Sequence, residues 1–349
     1  MTSSPGRVIA HRTASGGPIP ESMHHVHVAV TRPDGSLLAR IGDPHRVTPL
    51  RSCAKPFQAQ CLFLTEAAER FAVRDEEVAL ACASHEGSER HLAIVRGWLA
   101  RLGLAPADLG CGGHLPGDAS EARRLAVAGE EPSDLHNNCS GKHTGMLAAA
   151  LALGAPTRDY LRANHPVQEL IRQTLERLAG AGRALPSAYA VDGCSAPTAV
   201  MSVQRLATMF ALLAAPDALG GALEPRLVQG LGRARQAMMT YADLVAGIGV
   251  FDTVLMRAVQ HVVAKRGADG VYGVAVAASA HGPLGIALKV EDGRDDARSP
   301  AITAVLEQLG ILNPASRVAL APFIRPRRLN VRGLVVGHWD ATELELSWT

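Results

Sequence analysis

Both ends of this chain carry β patterning, and nearly everything between them carries helical patterning. This arrangement restricts the fold more than any other feature of the sequence. Near the start, Val26–Arg32 alternates apolar and polar residues, and Pro33-Asp34-Gly35 supplies a turn before Leu37–Arg40. Near the other end, Val262–Lys265, Val271–Ser279 and Gly285–Glu291 are apolar or alternating runs. They are broken by Gly267-Ala268-Asp269-Gly270 and His281-Gly282-Pro283, as in an antiparallel meander. Apolar spacing between these regions predicts helices over Ser52–Arg70, Ser88–Leu102, Ser140–Leu153, Val167–Ala179, Ala199–Leu213, Leu227–Ala246 and Asp252–Val259, with one more near Ala301–Leu312. Val78–Ala83 reads as a buried strand end or helix segment. Strands distant in sequence that must pair with one another imply an α+β fold. The expectation is a single two-lobed domain over residues 1–349. Its sheet lobe is built from about 1–50 and 260–349, its helical lobe from about 51–259, and a cleft lies between them.

Of the 349 residues, 47% are apolar and 19% charged, so a sizeable core can be buried. Lys plus Arg (35) nearly balances Asp plus Glu (33), which leaves no basic surplus for a phosphate backbone. With only 6 Phe, 4 Tyr and 3 Trp there is little for base stacking, and nucleic acid is not expected as a partner. The first 30 residues hold no apolar export segment, and the longest apolar run, Met146–Ala155, is about half of a membrane span. No membrane partner is expected. The 6 cysteines show no CxxC pair, which suits a reducing cytoplasm with thiols buried, catalytic or metal-bound.

Four stretches concentrate chemistry. Ser52-Cys53-Ala54-Lys55 is an S-x-x-K tetrad at a helix start, where i,i+3 spacing lets the Lys55 amine reach the Ser52 hydroxyl. Lys265-Arg266-Gly267 ends a β run some 200 residues later; a late K-x-G on a strand accompanies S-x-x-K in penicillin-recognising serine hydrolases. Ala83-Ser84-His85-Glu86-Gly87 offers a second serine that could pair with Lys265, although Ser84 or Ser88 could equally cap the next helix. His136–Gly145 is the densest polar stretch and runs straight into an apolar helix. Together with Val191–Thr198 it offers Cys139, Cys194 and one nitrogen, from Lys142 or His143, to a zinc ion. On chemistry alone His143 is the better third ligand, because a lysine must first lose a proton.

Taken together, Arg51-Ser52-Cys53-Ala54-Lys55-Pro56-Phe57-Gln58, Ala83-Ser84-His85, Asn137–His143 and Asp192-Gly193-Cys194 resemble the Rhizobium etli-type, thermolabile asparaginase II enzymes. The resemblance implies a fold similar to serine β-lactamases and class A glutaminases, a homodimer, and hydrolysis of L-asparagine to L-aspartate and ammonia. It implies two Ser–Lys pairs, Ser52 with Lys55 and Ser84 with Lys265, with Ser52 preferred as nucleophile. It places one zinc per chain on Cys139, Lys142 and Cys194, ordering the pocket. Arg51 and Asp192 are candidates for the α-carboxylate and α-amino group of the substrate, with His143 a third substrate-binding candidate. The competing expectations are a penicillin-recognising hydrolase, a glutaminase, and a zinc-containing amino-acid-binding protein. Two departures stand out. The cysteine that family members can carry in the segment matching Gly249–Asp252 is absent, and the tail after about Ser316, with Arg325-Pro326-Arg327-Arg328, matches poorly.

Overall fold

Strand Gly17–Thr31 runs through the middle of a nine-stranded antiparallel sheet in a computed structural model that describes residues 4–180 and 188–349. On one side it pairs with Leu284–Val290, bringing Val26, Val28 and Val30 opposite Val290, Leu288 and Ile286. The sheet then continues through Val271–Val276 to Val262–Arg266. On the other side it pairs with Gly6–Ala14, followed by Val335–Asp340 and Arg327–Leu329. Strand Leu37–Ile41 branches from Gly17–Thr31 and pairs in turn with Ser347–Trp348. The two β-patterned ends of the chain thus form one sheet, and the fold is α+β.

The chain divides into two compact units. The sheet unit takes in Met1–Thr48, Met201–Ala214 and Val254–Thr349. Helix Val203–Ala214 lies on the central strands of its sheet, and two glycines allow the approach. A Cβ on Gly285 would stand 1.9 Å from the Ala207 carbonyl oxygen, and one on Gly273 would stand 2.0 Å from the Phe210 ring. Helices Arg298–Gln308 and Pro314–Ile324 complete this unit.

The helical unit takes in Pro49–Val200 and Ala215–Thr253. Its central helix, Ser140–Ala152, is buried on every side from Ser140 to Ala150, which explains why its sequence lacks an amphipathic stripe. Asp75–Ala81, Glu89–Arg101, Pro166–Leu178 and Pro225–Thr240 belong to the same unit. The buried Glu77 carboxylate is held bidentately by Arg101 at 2.8 and 2.7 Å and again by Arg74.

Several expected boundaries change. The single helix expected over Ser52–Arg70 is a 3-10 turn, Arg51–Ala54, and three one-turn helices, Lys55–Gln58, Cys61–Leu64 and Ala67–Arg70. Pro56 removes a backbone donor near the start, and Glu66 at φ 60° breaks the run before its last turn. Val78–Ala81 is helical, as part of Asp75–Ala81. Ala199–Ser202 lies in a strand, and the helix begins at Val203, as β-branched Thr198 and Val200 suggest. Helix Ala119–Ala128 was not expected, though Asp118 caps it and Gly129 at φ 64° ends it. No described helix is long and apolar enough to cross a membrane.

Candidate active site

Lys55 is a buried cation in the helical unit. Lys55 opens the one-turn helix Lys55–Gln58, and its side chain is 1% exposed. Its ammonium donates to Ser84 Oγ at 2.9 Å, to the Ala83 carbonyl at 2.6 Å and to the Asn138 carbonyl at 3.3 Å. An ammonium has three protons, so these bonds use them all. None goes to Ser52, which sits half-buried in the preceding turn. The expected Ser52–Lys55 hydrogen bond is therefore replaced by a Ser84–Lys55 bond, because a buried cation must find several acceptors at once. Burial lowers the Lys55 pKa; the nearby Lys142 adds to the effect, and the Cys139 and Cys194 sulfurs oppose it.

Ser84 lies just past the end of helix Asp75–Ala81 and caps nothing. The cap of helix Glu89–Arg101 is Ser88, whose backbone N–H donates to His91 Nδ1 at 3.1 Å. The backbone N–H groups of Ser84 and His85 are both engaged, by the Val245 carbonyl at 2.9 Å and the Asn138 carbonyl at 3.3 Å. Neither is free to hold an oxyanion. Gly87 N–H donates to His85 Nδ1, so His85 Nε2 carries the proton and donates to Ser140 Oγ at 2.9 Å. His91 stacks on His85 with ring centroids 4.9 Å apart. Burial, with His91 and Lys55 adding to it, holds His85 neutral well below the usual histidine range.

The loop before helix Ser140–Ala152 is held by Asn137. Its side chain donates to the Cys111 and Gly112 carbonyls at 3.0 and 2.7 Å and accepts from Cys139 N–H at 2.9 Å. The helix start packs so closely on Asp75–Ala81 that a Cβ on Gly141 would stand 2.5 Å from the Leu80 carbonyl oxygen. These contacts place Cys139 and Lys142 against Cys194, and Lys142 Nζ donates to Cys194 Sγ at 3.1 Å. The Cys194 thiol, with help from Lys55 and Lys142, keeps Cys139 well below the ordinary thiol pKa, while Cys194 itself is raised. Burial would lower Lys142, yet the two sulfurs raise it.

His143 faces Tyr160, with Nδ1 2.6 Å from the phenol oxygen, while Nε2 is buried without a hydrogen-bond partner. Burial pushes its pKa down to about 4. Lys142 bonds Cys194 directly, and the Cys194 sulfur also acts on His143, opposing the effect of burial there. Two soft sulfurs with an adjoining amine form a donor set that fits zinc once Lys142 gives up its proton; without the ion Lys142 stands as an ammonium donating to Cys194.

Arg51, at the strained φ of 49°, donates from Nε to Asp192 Oδ1 at 2.7 Å, and both are only partly exposed. Burial would raise the Asp192 pKa, but Arg51 and Lys142 outweigh it and hold the carboxylate charged. Lys265 belongs to the sheet unit. It lies opposite Gly273, is fully buried, and donates to the Arg266 carbonyl at 2.7 Å. Asn138, Ser140 and Tyr160 went unread at the level of sequence. The first two stand inside the conspicuous polar stretch, whereas Tyr160 lies in a loop with no pattern.

A search of curated proteins finds no significant match. Among solved structures, the chain is similar to a Bacillus glutaminase at 14% identity and TM-score 0.45, covering 82% of this chain and 91% of that one. It is similar to Mglu in its native form at 16% identity and TM-score 0.42, covering 84% of this chain. That likeness spans 63% of Mglu, less than two thirds of its length. A β-lactamase from Burkholderia ambifaria is similar at 13% identity and TM-score 0.39, covering 83% of this chain and 96% of that one. The model of one family, L-asparaginase II, matches residues 13–341 and so takes in every residue of the site just described, together with most of the C-terminal tail. The chain belongs to the L-asparaginase II family.

Proposed function

We propose that this chain hydrolyses the side-chain amide of free L-asparagine to L-aspartate and ammonia through a seryl acyl-enzyme. The observation that carries the mechanism is the Lys55–Ser84 bond at 2.9 Å, with a buried lysine whose pKa is lowered. In its neutral form Lys55 takes the proton of Ser84 as Oγ attacks the amide carbon, then passes it to the departing nitrogen as ammonia leaves. Water next attacks the acyl carbon and gives its proton to the same amine, which releases aspartate and restores the serine. Ser52 supplies a second hydroxyl beside this pair in this reading.

Arg51 and Asp192 present a cation beside an anion, the charge order that receives the carboxylate and ammonium of a free amino acid. Zinc would be held by Cys139, Lys142 and Cys194. When bound, it supplies charge to neutralise the thiolates and fixes the two loops that carry them. His143, in contact with Tyr160 behind this loop, positions it. The six cysteines are buried and form no disulfide among the described residues, which supports a cytoplasmic setting, and the reading includes a homodimer.

The test is ammonia release from L-asparagine and L-glutamine, with hydrolysis of a chromogenic cephalosporin as the competing arm. Acyl-enzyme trapped at low pH and mapped by mass spectrometry should carry its label on Ser84. Label on Ser52 would move the nucleophile there. Cephalosporin turnover without ammonia release, or binding of asparagine without turnover, would overturn the reading.

A further inference from the structure

The sheet unit brings together three metal-ligating side chains that the hydrolytic reading does not use. Strands Gly6–Ala14 and Val335–Asp340 are antiparallel neighbours, and their register sets His11 directly opposite His338. Directly opposed residues share a face, and so do alternate residues along one strand. His11, His338 and Asp340 therefore project from the same side of the sheet. A register shift between Ala10 and His11, in the pairing with Gly17–Thr31, re-aims His11 locally.

One donor atom from each of the three lies within 4.8 Å of the others, and the two imidazole centroids are 5.0 Å apart. His338 Nε2 is 3.9 Å from Asp340 Oδ2, and both side chains are less than one-fifth exposed. Their present partner is a cation. Arg325 donates to His338 Nε2 and stands 3.8 Å from Asp340 Oδ2. Arginine can only donate, so His338 Nε2 is an acceptor with its lone pair turned toward the cluster. His11 Nδ1 is buried and has no hydrogen-bond partner, so no bond must break there. The Arg325 side chain is 60% exposed and free to swing into water.

We propose that His11, His338 and Asp340 form a site for a divalent first-row metal of the zinc class, bridging an early and a late strand and covered by Arg325 when empty. Two imidazoles and one carboxylate suit such an ion, and three protein ligands leave one position for water. Tetrahedral binding needs donors about 3.3 Å apart, which small rotamer changes of the three side chains supply. The family match begins at residue 13, so His11 lies outside it. The proposal does not depend on the asparaginase reading.

The experiment is calorimetric titration of the metal-stripped full-length chain with Zn²⁺, alongside thermal melts with and without the ion. Wild type should bind one more zinc than His338→Ala, and zinc should raise its melting temperature, since the ion binds only the native arrangement. Arg325→Ala should tighten this site by about tenfold, the worth of one charge-assisted contact no longer displaced. Should His338→Ala fail to fold, His11→Gln and Asp340→Asn decide. Each keeps a polar side chain and should lose the same equivalent. Equal zinc stoichiometry in wild type and in the folded ligand variants would overturn the proposal, as would weaker binding in Arg325→Ala.

Discussion

Arg51 Nε donates to Asp192 Oδ1 at 2.7 Å across 141 residues of chain, pairing the left-handed residue ahead of the Lys55 turn with the turn that carries Cys194. If substrate inserts its own charges between them, each side chain exchanges one ionic partner for another. Arg51→Ala and Asp192→Asn should then raise KM for L-asparagine by about ten- to a hundredfold, the worth of a charged hydrogen bond. Values of kcat should fall much less. Steady-state kinetics separate the two, and an unchanged KM in both variants would remove this pair from substrate binding.

Lys55 must be neutral to accept the Ser84 proton, and burial favours that form. Activity should rise from neutral into mildly alkaline pH, with its midpoint below the reference lysine value of about 10.4. Lys55→Arg keeps the charge but cannot deprotonate, and it should lose about 10²–10⁴-fold in kcat, as should Ser84→Ala. A pH profile of kcat/KM that stays flat from neutral upward would contradict Lys55 as base.

Glutamine is one methylene longer than asparagine. With both α-groups anchored, its amide carbon is misplaced by about 1 Å, which costs on the order of 10² in rate. Competing-substrate assays should give that ratio of kcat/KM. Equal values would mark the enzyme as a glutaminase.

Removing zinc from the Cys139, Lys142 and Cys194 set should raise KM more than it lowers kcat, since no bond-making step runs through the metal. Metal analysis should show about one zinc fewer per chain in Cys139→Ser with Cys194→Ser than in wild type. Zinc content unaffected by the double substitution would place the metal elsewhere.

Acid should destabilise the fold through its buried neutral histidines. His85 and His91 lie below the ordinary value of 6.5, and His143 falls to about 4, burial being the first cause in each case. Below about pH 6.5 the unfolded chain takes up protons that the folded chain refuses, so stability present at pH 7 is lost as pH falls. His143 alone accounts for about 2 kcal/mol between pH 7 and pH 5. Urea midpoints at pH 7 and 5 measure the loss, and His143→Gln should flatten the slope. Stability unchanged over that range would show that these groups titrate normally in the fold.

The limits of sequence reading appear at particular residues. The alternation in Val26–Arg32 and Gly285–Glu291 was legible because a period of two shows in any single strand. Strand Gly6–Ala14 lacked a clean alternation because Val8, Ile9 and Ala10 are apolar in succession, whereas His27 interrupts the apolar residues of the neighbouring strand. The broken course of Ser52–Arg70 turned on Pro56, visible in the sequence, and on a left-handed Glu66, which no side chain announces.

What the sequence determined by itself was the set of local facts. These were β patterning at both ends, apolar helical spacing between, and polar clusters of the right chemistry at Ser52–Lys55, Ser84, Asn137–His143 and Asp192–Cys194. Each depends on neighbours within a few residues. Only the tertiary structure decided which serine Lys55 meets and that Lys142 donates to Cys194. The i,i+3 spacing favours Ser52, but a buried ammonium must satisfy all its donors at once. The acceptors able to do so are Ala83, Ser84 and Asn138, which come from segments 28, 29 and 83 residues away. Burial and hydrogen-bond satisfaction belong to the packed whole, so no local pattern can encode them.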